Sequence, residues 1–192
     1  MVVKRKFFER EEKRALKEVK AVVVHWPGGS VVPEITALWK WMNSASNNSY
    51  HFLISQKNII QTRDLKLRAI HCGHATYTNK AKAFFGERTC SNLDSPNNYT
   101  IGVCLLHDKI DGSYSTATID SAIDVLAILC LDNNLDPMTD LLRHSDLTAE
   151  KEIPCPKYFF EDDDDPDDLW CTFKEWVRDR VAYYEIEIGC EG

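Results

Sequence analysis

Residues 21–25, Ala-Val-Val-Val-His, form an apolar run dominated by valine, and Trp26-Pro27-Gly28-Gly29 closes it at once. Valines in succession leave no polar side for water, so a strand of this kind must be covered on both faces. The run predicts a central strand in a sheet with helices packed over it, and it sets His25 at that strand's C-terminal end. A second apolar run, Tyr99 to Leu106 (YTIGVCLL), reads the same way. The fold class that follows is α/β: a single domain with a central mixed β-sheet flanked by helices.

The remaining elements fit around these two strands. Ile35, Leu38, Trp39 and Met42 fall at i, i+3, i+4 and i+7 behind Pro33, which predicts a helix with Trp39 on its buried stripe. Residues 50–55 and 58–61 read as a hairpin around Gln56-Lys57, and 68–71 as a further short strand. The polar stretch 73–98 reads as a long loop with one turn of helix. The Ser/Thr run 115–118 offers N-caps for a helix whose face carries Ile119, Ala122, Ile123, Leu126 and Cys130, ending at Asn133-Asn134. Leu141 to His144 reads as a short strand or strand end, followed by a polar stretch. Trp170, Phe173 and Val177 mark a C-terminal helix, after which Tyr184, Ile186 and Ile188 alternate. The expected division is a lead-in at 1–20, the domain at 21–182, and a tail or edge strand at 183–192.

Charge narrows the range of partners. The chain has 30 acidic and 23 basic residues, but seven of the acids lie in 161–168 (EDDDDPDD), so the rest balances at 23 against 23. A neutral body argues against wrapping nucleic acid, and no nucleic-acid partner is expected. Apolar runs such as Ala127–Leu131 fall far short of the roughly 20 residues that span a bilayer, so no membrane partner is expected either. Residues 4–20 carry eight bases and four acids and read as a solvated arm. They hold no apolar secretory segment, so the chain is expected to be cytoplasmic as synthesised. Seven cysteines without CxxC spacing fit reduced thiols.

His25 and His144 each stand at the end of a predicted strand, and Cys155 follows eleven residues after the second. Two imidazoles and a thiolate, with water as fourth ligand, would make a catalytic metal site. By residue types alone the same three could be satisfied histidines and a buried thiol, or a cysteine nucleophile with His144 as base and His25 without a role.

Six segments bear on that choice: VVVHWPGG (22–29), SYHFLIS (49–55), AIHCG (69–73), NNYTIGVCLL (97–106), RHSDL (143–147) and PCPKYF (154–159). In this order they resemble the zinc N-acetylmuramoyl-L-alanine amidases of the phage lysozyme type, relatives of the peptidoglycan recognition proteins. The resemblance runs from residue 20 to about 180. It implies an amidase-like fold and Zn2+ held by His25, His144 and Cys155. It also implies Tyr50 as a catalytic phenol that donates to the water on zinc or to the developing oxyanion. The implied reaction is hydrolysis of the amide between N-acetylmuramic acid and the L-alanine of the peptidoglycan stem peptide, by a monomer that acts on the wall after release from the cell, as an endolysin does. A non-hydrolysing module that binds peptidoglycan through the same cleft is the alternative.

Two positions depart from the family pattern. Ile153 stands where lysozyme-type members carry a lysine, which makes Lys151 the substitute candidate for a catalytic role. Cys104 replaces the glutamate that other members place in the TIGVCLL strand. His71 matches a motif near the substrate cleft, and Trp26 follows a metal histidine, so both are candidates for substrate binding. Asp146 is the candidate to orient His144.

Overall fold

The computed structural model describes residues 2–5, 7, 14–28, 48–73, 76–91, 93–107, 109, 111–148, 154–160 and 168–190. Among these residues six strands form one mixed sheet: β1 (Val3–Arg5), β2 (Ala21–His25), β3 (Phe52–Ile54), β4 (Ile59–Gln61), β5 (Thr100–Leu105) and β6 (Leu141–Arg143). Their order across the sheet is β1-β4-β3-β5-β2-β6. Only the β3–β4 hairpin is antiparallel; β2 runs parallel to both its neighbours, with Val22 opposite Ile101 and Leu141. The valine run is therefore interior, as its composition requires, and all five residues of β2 are buried.

Alternation along β2 and β5 divides the core in two. Val22, Val24, Ile101, Val103 and Leu105 face helices α2 (Thr116–Asn133) and α5 (Asp168–Cys190), where Phe159, Trp170, Phe173 and Val177 complete one cluster. Ala21 and Val23 belong to a second cluster on the other face, with Ala81 and Phe85 of α1 (Asn79–Phe85), Cys72, Leu142 and Leu147. Each Leu, Ile or Phe buried this way contributes ~1.5–3 kcal/mol, so both faces are firmly held. Helix α2 begins where the Ser/Thr run predicts: Ser115 accepts from the Thr118 N–H, and Asn134 in the left-handed region closes the helix. Two one-turn helices, α3 (Pro137–Asp140) and α4 (His144–Leu147), bracket β6.

Several expectations need correction. The lead-in is no free arm: β1 pairs with β4 at the sheet edge, and the Lys17 and Lys20 N–H groups donate to the Asn98 and Tyr99 carbonyls. Lys17 Nζ also bonds Asp94 and the Tyr99 hydroxyl, so part of the positive charge is held against the body. Residues 68–71 form no strand, because the neighbouring β-contact is a single bridge between Ala15 and Leu67. The stretch 73–98 carries the two-turn α1 and a 3-10 turn at Pro96–Asn98. Residues 183–190 are the last turns of α5 and not an edge strand. Val181 and Tyr184 continue the spacing of Trp170, Phe173 and Val177, so the helical period prevails, and Ile186 and Ile188 are left exposed. The helix expected at 35–42, Trp39, Lys151, Ile153 and residues 161–167 of the acidic segment lie outside the described residues. Among the described residues no helix is long and apolar enough to cross a membrane.

Candidate metal centre

Parallel pairing brings the first two candidate ligands together. His25 ends β2, His144 opens α4 directly after β6, and β2 and β6 are hydrogen-bonded neighbours. Their rings lie 4.6 Å apart, centroid to centroid. Cys155 completes the cluster, and the three ligand atoms all lie within 4.8 Å of one another. The site is enclosed: His25 is 1%, His144 5% and Cys155 1% exposed.

The Cys155 loop is fastened to α4 by backbone and side chain together. The Ser145 N–H donates to the Cys155 carbonyl at 3.0 Å, and the Cys155 N–H donates to Ser145 Oγ at 2.5 Å. Helix α4 is itself pinned at its start. Asp146 accepts from the Arg143 backbone N–H at 2.8 Å and from the Arg143 guanidinium at 3.1 Å, and Lys80 Nζ reaches the same carboxylate at 2.9 Å. Burial raises the Asp146 pKa, but Arg143 and Lys80 outweigh it and hold the carboxyl below its usual range. The expectation that Asp146 orients His144 is thereby corrected. Three residues into the helix, a carboxylate reaches back to the cap N–H and its basic neighbours. The Thr148 hydroxyl lies 3.5 Å from His144 Nε2.

His71 lies behind His25. Its Nδ1 is 3.0 Å from His25 Nε2, and its own Nε2 is 3.2 Å from Thr100 Oγ1. Asn97 fixes this segment, accepting from the His71 and Cys72 N–H groups at 2.9 and 2.7 Å. His71 is 6% exposed, and burial keeps its pKa well below the ordinary histidine value. It therefore stands as a neutral ring in contact with a candidate ligand histidine. Such an outer contact fixes the orientation of a ligating imidazole. The strand beneath leaves room for it: a Cβ added at Gly102 would lie 2.7 Å from the His71 ring.

Tyr50 sits just before β3, its ring centroid 5.0 Å from that of His25. Burial, reinforced by Cys104, Cys155 and Cys72, raises its phenol well above the usual tyrosine range, so the hydroxyl keeps its proton. Cys104 lies opposite His25 in the β2–β5 register, buried in the apolar group that Tyr50 packs against. His51, next to Tyr50, is a structural residue. Its Nδ1 accepts from the Gly102 N–H and its Nε2 meets the Leu67 carbonyl, which ties β3 to β5. Trp26 stays apart from the cluster. One residue beyond His25 the strand period turns it to the other face, where it is 8% exposed against His107 at 5.3 Å.

The arrangement contains three soft or borderline donors converging in a buried site, one phenol beside them and one neutral histidine behind them. Residue types alone gave Ser145, Asn97, Cys72 and Gly102 no role. Of these only Gly102 had a signal, since a glycine inside an apolar strand marks close approach.

A family model described as N-acetylmuramoyl-L-alanine amidase matches residues 15–158. Solved structures share the fold at low identity. The PlyG catalytic domain is 19% identical with a TM-score of 0.68, covering 94% of this chain and 96% of its own. The Staphylococcus aureus hydrolase AmiA, solved with its ligand, is 13% identical with a TM-score of 0.70, covering 98% and 86%. A mutant endolysin from Bacillus subtilis is 17% identical with a TM-score of 0.61, covering 92% and 98%. A search of curated proteins finds no match.

Proposed function

Because the chain belongs to the N-acetylmuramoyl-L-alanine amidase family, we propose that it hydrolyses the amide between N-acetylmuramic acid and L-alanine in peptidoglycan, with zinc held by His25, His144 and Cys155. The observation that carries this reading is the convergence of those three ligand atoms within 4.8 Å at the ends of neighbouring parallel strands. The donor set fits the ion: two imidazoles and a thiol suit zinc, and three protein ligands leave a fourth position for water or substrate. A zinc ion held by these three residues would supply Lewis-acid polarisation of the scissile carbonyl and a bound water with a pKa of about 7.

The chain's own residues do the rest. Tyr50, protonated and beside His25, donates its hydroxyl hydrogen to the oxygen that gains charge as the carbonyl is attacked. His71 holds the His25 ring in place, and the Ser145–Cys155 pair holds the thiolate. A wall-lytic role for a monomer released from the cell is part of the same reading, supported by the fold shared with an endolysin.

The test is zinc content measured with release of stem peptide from purified peptidoglycan, before and after chelation. Chelation should abolish release and zinc should restore it. Release that survives thorough zinc removal would overturn the metal mechanism, and bound zinc without release would favour a recognition module.

A further inference from the structure

His25 belongs to two clusters. Besides His144 and Cys155 it meets His71 and Cys72, and these three ligand atoms also lie within 4.8 Å of one another. His71 Nδ1 is the hub, 3.0 Å from His25 Nε2 and 3.0 Å from Cys72 Sγ. All three residues are buried, and Cys72 is fully so.

We propose that His25, His71 and Cys72 form a second, inhibitory site for a thiophilic divalent cation, filled when the cation is in excess. Tetrahedral zinc, with bonds of about 2.0–2.1 Å to nitrogen and about 2.3 Å to sulfur, sets donor separations of about 3.3 Å between nitrogens and about 3.6 Å between nitrogen and sulfur. The two edges, both 3.0 Å, are shorter by about 0.3 and about 0.6 Å, so the cluster must open by that much to admit the ion. Two imidazoles with one thiolate select borderline and soft cations, zinc and cadmium, over magnesium or calcium. The backbone already sets the geometry, since Asn97 fixes both His71 and Cys72 through their N–H groups. The two sites share one imidazole, so filling the second weakens the hold on the first. This inference builds on the metal set proposed above but uses a different thiol, which allows the two to be tested separately.

The experiment is a cadmium titration of the metal-free full chain, read by the ultraviolet thiolate-to-cadmium charge-transfer band, with zinc inhibition of amide hydrolysis measured alongside. Wild type should show the band rising in two steps, and Cys72→Ser should keep the first and lose the second. Cys155→Ser should keep the step due to Cys72. Excess zinc should inhibit wild type at least tenfold more strongly than Cys72→Ser. A single step in wild type that persists in Cys72→Ser, or two steps in Cys72→Ser, overturns the second site. Loss of the first step in wild type with the Cys72 step intact would instead overturn the His25, His144 and Cys155 assignment. Should Cys72→Ser lose its native far-ultraviolet spectrum, Cys72→Ala carries the same expectations. Zinc at one and at two equivalents in wild type reports the inhibition without any substitution.

Discussion

Ser145 and Cys155 hold each other by two hydrogen bonds, each residue's N–H donating to the other, one to a carbonyl and one to a hydroxyl. The pair couples the helix that begins with His144 to the loop that supplies the thiol. Ser145→Ala removes the hydroxyl half of the clasp and leaves the backbone half. Zinc affinity should fall by about 10–100-fold, the usual effect of losing a contact that orients a ligand. Stability of the metal-free protein should drop by only ~1 kcal/mol. Competition with a chromophoric chelator and urea unfolding measure the two quantities, and unchanged zinc affinity would show that the hydroxyl does not position Cys155.

Gly102→Ala tests the packing behind His25. The new Cβ would meet three atoms of the His71 ring at under 3 Å, in a strand with no freedom to move. Overpacking of this kind costs ~1–3 kcal/mol, and the displaced ring should also lower zinc affinity through His25. Thermal unfolding with and without zinc should therefore show a smaller metal-dependent gain in Tm than wild type shows.

Tyr50→Phe keeps the ring and removes the donor. If the phenol acts only as charge develops on the carbonyl oxygen, kcat should fall by about 10²–10³-fold with KM and zinc content nearly unchanged. Steady-state kinetics on a soluble muropeptide, together with metal analysis, checks this; a raised KM at constant kcat would assign Tyr50 to substrate binding.

His51 sets an acid limit on stability. Burial pushes its pKa down to about 4, against about 6.5 in an unfolded chain. The folded state thus favours the neutral ring, so the contribution is complete above pH 6.5 and is lost as pH falls from there through about 4. It amounts to ~3 kcal/mol. Urea unfolding between pH 7 and 4.5 should show the decline in wild type and a flatter profile in His51→Gln. Proton NMR showing His51 charged at pH 6 would contradict the assignment.

Much of the architecture was legible because burial leaves a strong mark on composition. The valine run at 22–24 and the TIGVCLL strand read as interior, and the Ser/Thr cap read as the start of α2, since each depends on local pattern alone. Edges were harder to read. Val3–Arg5 becomes a strand through its partner Ile59–Gln61, and nothing in its own three residues announces the pairing. At the C-terminus two periods competed over Tyr184, Ile186 and Ile188, and the helix already under way extended through them. The three proposed ligands came from motif order, and the structure brings them together. Ser145 and Cys72 are placed by hydrogen bonds to Cys155 and Asn97 that no local pattern announces, and Trp26 needed the strand's alternation to place it on the opposite face.

The position of β2 between β5 and β6 has a consequence for synthesis on the ribosome. Val22 is made long before its partners Ile101 and Leu141, which follow 79 and 119 residues later. For that interval an apolar strand has neither of its final neighbours, the condition under which nascent chains aggregate. Chains truncated before residue 141 keep the edge of β2 open, so insoluble fragments, and not partly active ones, are the expected products of premature termination.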